Sequence, residues 1–287
     1  MMHRLLTSVT VLDCEITEIR LLMERHAGVL LEKSSESLAE VITRSLEKHE
    51  LSSASELIGL LGQSPAECDA LLEDLLPGDT GFLRCPAAFD ALGRTVVPEL
   101  LARKQVEGGN SLRMWSAGCS TGEEVYSVAM TVCEALQGSR CGCNIHIVGT
   151  DIRRSALATA ERGLYHQRAV HSLPKHLVGG YFSRVGDHFL VKPRLRNLVT
   201  FTPMNLANPS FIGRFDCIFC LDVLPHFSAS RRAALLQRLY MYLEPGGYLF
   251  LGDDEKLPAA DVTFTAQTHL GFTCYRRPFA NAAKNGR

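Results

Sequence analysis

The 287-residue sequence lacks an excess of charge of either sign, with 30 Lys+Arg against 31 Asp+Glu, and it lacks any long apolar run. With 46% hydrophobic and 21% charged residues it is neither disordered nor collagen-like, and its length suits about two domains with sizeable cores. The longest charge-free stretch, residues 197–213, contains Pro203, Pro209 and three asparagines, which excludes a membrane-spanning helix of about 20 apolar residues. The start, MMHRLLTSVTVLDCE, carries one basic residue and no small-x-small cleavage site, so no signal peptide is expected and the protein is read as cytoplasmic. Its ten cysteines would then stay reduced unless they bind metal or catalyse. Gly-x-x-x-x-Gly-Lys is absent, which disfavours a P-loop enzyme.

The overall balance hides a split. Residues 1–76 hold 6 Lys+Arg and 14 Asp+Glu, whereas residues 77–287 hold 24 and 17. The acidic part reads as several short helices, with apolar residues at helical spacing in Ile19-Leu22-Met23, Leu38-Val41-Ile42-Leu46 and Leu57-Leu60-Leu61. Ser64-Pro65-Ala66-Glu67 predicts a helix start, with Ser as N-cap, Pro at N1 and Glu closing a capping box. A further helix is expected over 87–104, leading to the Gly108-Gly109-Asn110 turn. The expected division is an acidic helical domain over 1–76, a linker and helix over 77–110, and a third part over 111–287.

From Leu112 the pattern becomes strand, loop and helix, repeated. Strands are expected over 112–117, 145–150, 198–203, 215–221 and 248–251, with helices over 121–136, 229–243 and up to Glu161 between them. Such alternation implies an α/β fold with a doubly wound, Rossmann-like parallel sheet. Residues 166–197, around His188-Phe-Leu-Val-Lys-Pro-Arg-Leu-Arg196, are too long for an ordinary connection and predict a small inserted β-hairpin subdomain.

A Gly-rich turn after the first strand lets the backbone approach a ligand, and an acid ending the second strand can accept from ribose hydroxyls. Gly118, Gly122 and Asp151 occupy those places. The turn lacks the GxGxxG spacing and the acid follows after 33 residues, so a nucleoside-type ligand is better supported than NAD. Cys217-Ile-Phe-Cys220 lies on a strand, where residues three apart point to opposite faces, so it is read as buried apolar filling and no metal is expected. Cys141-Gly-Cys143 has no second pair at zinc-finger distance.

The extended string is the specific signal. Trp115-Ser-Ala-Gly-Cys-Ser-Thr-Gly-Glu-Glu-Val-Tyr-Ser127, then Gly149-Thr-Asp-Ile152, Phe215-Asp-Cys-Ile-Phe-Cys220 and Leu243-Glu-Pro-Gly-Gly-Tyr-Leu-Phe-Leu-Gly252 resemble, in order and spacing, the CheR family of chemotaxis-receptor methyltransferases. Gly78-Asp-Thr-Gly-Phe-Leu-Arg84 resembles that family's T-x-F-F-R segment. The resemblance covers nearly the whole chain. It implies a class I methyltransferase sheet with an N-terminal all-helical domain, S-adenosyl-L-methionine as donor, S-adenosyl-L-homocysteine as product, and a protein glutamate as acceptor. It also implies places: Thr80 and Arg84 near the methionine end, Gly118 in the cofactor turn, Glu124 with Glu123 at the charged amino acid part, Asp151 at the ribose, Asn205 and Leu206 at the adenine edge. Arg84 is the first catalytic candidate, since a guanidinium holds a carboxylate in a bidentate grip.

The sequence departs from the family after Cys220, where Arg-Asn and a following Tyr are replaced by Leu221, Asp222 and His226, and again at Gly252-Asp-Asp-Glu255. Leu221 and Asp222 remain cofactor-side candidates, and His226 a catalytic candidate in the tyrosine's place. The alternatives are a non-catalytic S-adenosylmethionine-binding regulatory or scaffold module, or a methyltransferase for another acceptor. The expected partner is a protein substrate, a receptor or signalling protein, with an acidic peptide docking at the hairpin near Lys192, Arg194 and Arg196. No recurring aromatics accompany those cations, so nucleic acid is not expected, and neither is membrane insertion.

Overall fold

The computed structural model describes residues 11–76, 78–137, 142–252, 255, 257 and 264–279. Cys141, Asp253, Asp254 and the first ten residues, all part of the sequence reading, lie outside the described residues. The chain forms two compact units, one of Met1–Pro77 with His226–Arg231, the other of Gly78–Pro225 with Arg232–Arg287.

The first unit holds α1 (Asp13–Ala27), α2 (Ser35–Lys48), α3 (Ala54–Gln63) and α4 (Pro65–Leu75). Their apolar stripes bury Ile19, Met23, Leu38, Ile42, Leu57 and Leu71 in one core. Serines start three of the helices: Ser34, Ser53 and Ser64 each accept from the backbone N–H three residues on. The box expected at Ser64 closes on one side only. The Ser64 N–H is already donated to the Leu60 carbonyl at the end of α3, and the Glu67 carboxylate faces His49 Nε2 at 3.2 Å.

The second unit begins with α5 (Pro86–Ala91), a π-helical turn (Leu92–Val96) and α6 (Val97–Val106), where one continuous α-helix is expected from the sequence. Pro98 accounts for the turn, because proline has no N–H for the carbonyl four residues back, and the Val97 N–H bonds the Leu92 carbonyl instead. There follow β1 (Ser111–Ala117), α7 (Glu123–Ala135), β2 (Asn144–Asp151), α8 (Arg154–Arg162), β3 (Leu164–His166), α9 (Gln167–Val170), α10 (Lys175–Tyr181), β4 (Phe182–Val185), β5 (His188–Val191), α11 (Pro193–Arg196), β6 (Val199–Pro203), β7 (Phe215–Cys220), a 3-10 turn (Leu224–His226), α12 (Ala229–Tyr242), β8 (Leu243–Leu251), β9 (Thr265–His269) and β10 (Phe272–Arg276).

Seven strands form one sheet in the order β6-β2-β1-β7-β8-β10-β9, parallel through β8 and antiparallel at β10 and β9. This is the expected α/β, doubly wound, mostly parallel sheet, closed by an antiparallel hairpin that the sequence reading leaves out. The chain reverses from β1 toward β6 on one side and β7 on the other, so the strand ends after β1 and β7 flank a crevice. Both sheet faces are covered. Phe219 stacks on Phe89 of α5 at 5.7 Å, while Trp115, in register with Ile218 and so on the other face, meets Tyr242 of α12 at 5.6 Å. Phe89, Phe219, Phe250 and Phe272 form a stacked row across β7, β8 and β10. The insertion is a three-stranded antiparallel sheet, β3-β5-β4, recruiting β3 beyond the expected hairpin.

Candidate active site

β1 runs out at Ala117 into Gly118-Cys119-Ser120-Thr121-Gly122, and α7 starts at Glu123. The turn is drawn onto β2 by the N–H groups of Gly118 and Cys119, both donating to the Thr150 carbonyl at 2.8 Å. Gly118 has φ +85°, and a Cβ there would lie 2.7 Å from Val223 Cγ2. Gly122 has φ +94°, and its Cβ would lie 2.6 Å from the Ala160 Cβ of α8. Neither position accepts a side chain, for reasons of both conformation and space.

Asp151 ends β2 and is buried. Its carboxylate accepts from the Ser120 N–H and the Arg153 N–H, each at 2.8 Å, and faces Arg153 Nε at 3.5 Å. Arg153 in turn donates to Ser120 Oγ at 2.7 Å. Gly118–Gly122 also has the Gly-x-Ser-x-Gly spacing of a hydrolase elbow, which corrects a sequence reading that takes this motif as absent, and Ser120 has φ +49°. Its hydroxyl oxygen, however, accepts a hydrogen bond from the Arg153 guanidinium, and that cation is no base for the hydroxyl proton of a nucleophile. Met204 N–H donates to the Asp151 carbonyl, which brings Asn205 and Leu206 beside Asp151; Asn205 Oδ1 accepts from the Ala207 N–H.

The Gly78–Arg84 segment is fixed along its length. A Cβ on Gly78 would sit 3.6 Å from Arg153 Nη1. Phe82 is buried edge-on against Tyr165 of β3 and Phe182 of β4, and the Leu83 N–H donates to Ser127 Oγ on α7. Tyr165 donates to the Thr121 carbonyl at 2.7 Å, so the inserted sheet supports the Gly-rich turn directly. Arg84 at the end of the segment donates to the Asp79 carbonyl at 2.7 Å and stands 3.8 Å from the Asp222 carboxylate, with about half of each side chain exposed.

Asp222 has φ +57° and follows the half-buried Leu221 in the turn after β7. Glu124 is hydrogen-bonded by Ser116 Oγ at 2.6 Å; burial pushes its carboxyl up to about 7 against that bond, with the charges of Asp222 and Glu255 adding to the rise. Glu123 is buried, accepts from Thr121 Oγ1 at 2.6 Å and is also raised, burial again being the cause. Glu255 is raised by burial as well, opposed by bonds from the Gly252, Leu224 and Asp222 N–H groups.

Gly118, Asp151, Asn205, Leu206, Leu221 and Asp222 thus lie at strand ends and turns of the second unit, Glu123 and Glu124 open α7, and Thr80 and Arg84 lie in the segment before α5. His226 ends the 3-10 turn and belongs to the first unit, where its carbonyl accepts from the Leu30 N–H. Arg153, Tyr165, Val223 and Glu255 were not singled out from sequence. Arg153 carried a signal, standing two residues past the acid ending β2. Cys119, in the turn, has its thiol held well above the ordinary range by burial and by Asp151 and Glu124, and so is no nucleophile. Cys217 and Cys220 are buried, and the strand register puts them on opposite faces. Among the described residues no group of three or more His, Cys, Asp and Glu is placed to hold a metal ion, and no helix is long and apolar enough to cross a membrane.

Residues 78–270 match the family described as CheR methyltransferase, SAM binding domain. The chain belongs to the CheR methyltransferase family. The chemotaxis protein methyltransferase 1 of Pseudomonas aeruginosa is 32% identical over 83% of this chain and 88% of its own, and that of Vibrio cholerae 32% over 88% and 92%. The chemotaxis protein methyltransferase Cher2 of Pseudomonas putida is 31% identical over 85% and 91%. Among solved structures, magnesium protoporphyrin IX methyltransferase (ChlM) from Synechocystis PCC 6803 with bound SAM covers 69% of this chain and 85% of its own, at 19% identity and TM-score 0.33. This CheR-family chain is an S-adenosylmethionine-dependent methyltransferase, and the non-catalytic alternative is not favoured. The donor set fits that cofactor: a buried acid at the end of β2, an amide beside it, and carboxylates around a turn whose glycines leave no room for side chains.

Proposed function

We propose that this methyltransferase esterifies glutamate side chains of a protein, a chemoreceptor-like or signalling protein. The observation that carries this reading is Arg84, whose half-exposed guanidinium lies between Asp79 and Asp222, so that an incoming carboxylate would exchange with Asp222 for its planar donors. When bound, S-adenosylmethionine supplies a methyl group on a positively charged sulfur, and the sulfur keeps the electron pair when the methyl group leaves. An acceptor glutamate with a pKa of about 4.3 is already an anion near neutral pH, so the chain need not remove a proton. Its work is alignment and exclusion of water.

Asp151 accepts from the ribose hydroxyls, with its backbone partners holding the carboxylate still. Asn205 and Leu206 meet the adenine edge, Gly118 lets the main chain close on the ligand, and Leu221 and Asp222 form the opposite side. Glu124, with Glu123, meets the charged amino acid part, and Thr80 stands with Arg84 near the methionine end. His226 takes the tyrosine's place in the family pattern, four residues beyond Asp222. An acidic peptide docks near Lys192, Arg194 and Arg196. Lys192 Nζ donates to the Gly179 carbonyl, Arg194 lies over the Tyr181 ring at 4.2 Å, and Arg196 donates to the Glu161 carbonyl, so the peptide must share these cations with the fold.

The test is incubation of candidate receptor proteins with methyl-labelled donor, followed by alkali. Label released as methanol identifies a carboxyl ester. Label that survives alkali would mean another nucleophile, and unchanged peptide binding after Arg194→Glu and Arg196→Glu would remove the docking assignment.

A further inference from the structure

Glu255 is 7% exposed, and its partners are main-chain donors. Oε2 accepts from the Gly252 N–H at 2.6 Å and the Asp222 N–H at 3.0 Å, and Oε1 accepts from the Leu224 N–H at 2.7 Å. A buried carboxylate is costly to place and is retained where its bonds fix something. Here they fix a turn of three residues. Asp222 holds a left-handed conformation that a residue with a side chain resists, and it is the residue facing Arg84. Val223, between two clamped N–H groups, packs against Gly118 at the head of the cofactor turn. Gly252 completes the arrangement, since a Cβ there would lie 2.5 Å from Asp222 Oδ1 and 2.9 Å from Glu255 Oε2.

We propose that Glu255 is a positioning residue of the methyl-transfer site, holding the 222–224 turn so that Asp222 faces Arg84 and Val223 closes on Gly118. It acts through the main chain of that turn and touches no reacting atom. The inference rests on the reading of this crevice as the S-adenosylmethionine site. Asp222 offers charge to the crevice, and Glu255 sets where that charge stands.

The test is calorimetric titration of the full chain with S-adenosylmethionine and S-adenosylhomocysteine, comparing Glu255→Gln in two backgrounds. Glutamine sets an NH2 group against one of the N–H donors, so Glu255→Gln is expected to weaken binding about tenfold or more. In an Asp222→Gly background the same change should cost less than about twofold, because glycine adopts the left-handed conformation unaided. Equal losses in both backgrounds would mean that Glu255 merely supports the fold, and would overturn the proposal. So would full affinity in Glu255→Gln. If that variant does not fold, Gly252→Ala decides: it presses on both carboxylates without removing either, and unweakened binding there overturns the proposal. No binding by the unaltered chain would sink the cofactor reading and this inference with it, whereas binding unaltered by Glu255→Gln sinks this inference alone.

Discussion

Replacing Gly122 with alanine tests the join between the Gly-rich turn and α8. At φ +94° an L-residue carries about 1–2 kcal/mol of backbone strain. The added Cβ would lie 2.6 Å from the Ala160 Cβ, 3.1 Å from its Cα and 3.0 Å from the Tyr165 hydroxyl, so backbone must move, which costs about a further 1–3 kcal/mol. The sum, about 2–5 kcal/mol, is a large share of a typical domain stability of about 5–15 kcal/mol. With a urea dependence of about 2–3 kcal/mol per molar, the midpoint should fall by about 1–2 M. The chain's single tryptophan, Trp115, is fully buried in the same unit, so its fluorescence reports the right transition. Gly179→Ala in α10 is the control: nothing lies within 4 Å of its added Cβ, and it should stabilise by about 0.5–1 kcal/mol. An unchanged midpoint for Gly122→Ala would refute the packing of this turn.

Three further outcomes follow from the same geometry. Phe250→Ala removes the ring stacked between Phe219 and Phe272 and should cost about 3–5 kcal/mol by urea unfolding followed at Trp115. Glu124, raised from 4.5 to about 7, keeps in the folded chain a proton that the unfolded chain releases, so stability should fall as pH rises through that window. Urea midpoints measured across those pH values should flatten in Glu124→Gln. Arg84→Lys keeps the charge but loses the fork, and should lower kcat/KM for the protein acceptor by about 10–100-fold, read as alkali-labile label.

The sequence made the parallel sheet legible because its strands are short apolar runs between helical stretches, and it pointed to Asp151 because ligands of such sheets gather at strand ends. The β9–β10 hairpin escaped. Thr265–His269 is an exposed edge strand of polar residues, and its turn uses Leu270 and Gly271 at positive φ, a weak signal beside the Gly-rich turns elsewhere. The π-turn before Pro98 was hidden because the apolar spacing runs through it unbroken. Glu255 is illegible in the sequence for a different reason: its bonds are to backbone N–H groups, which a sequence does not display.

In the proposed site the crevice at the ends of β1 and β7 binds the methyl donor, with Asp151 at the neighbouring end of β2 holding it. Calorimetric titration of the full chain with S-adenosylmethionine and S-adenosylhomocysteine, repeated on Asp151→Ala, tests it most directly. The account predicts micromolar binding of both ligands that is lost in the variant. Absence of binding by the unaltered chain, or binding that survives Asp151→Ala undiminished, would contradict it.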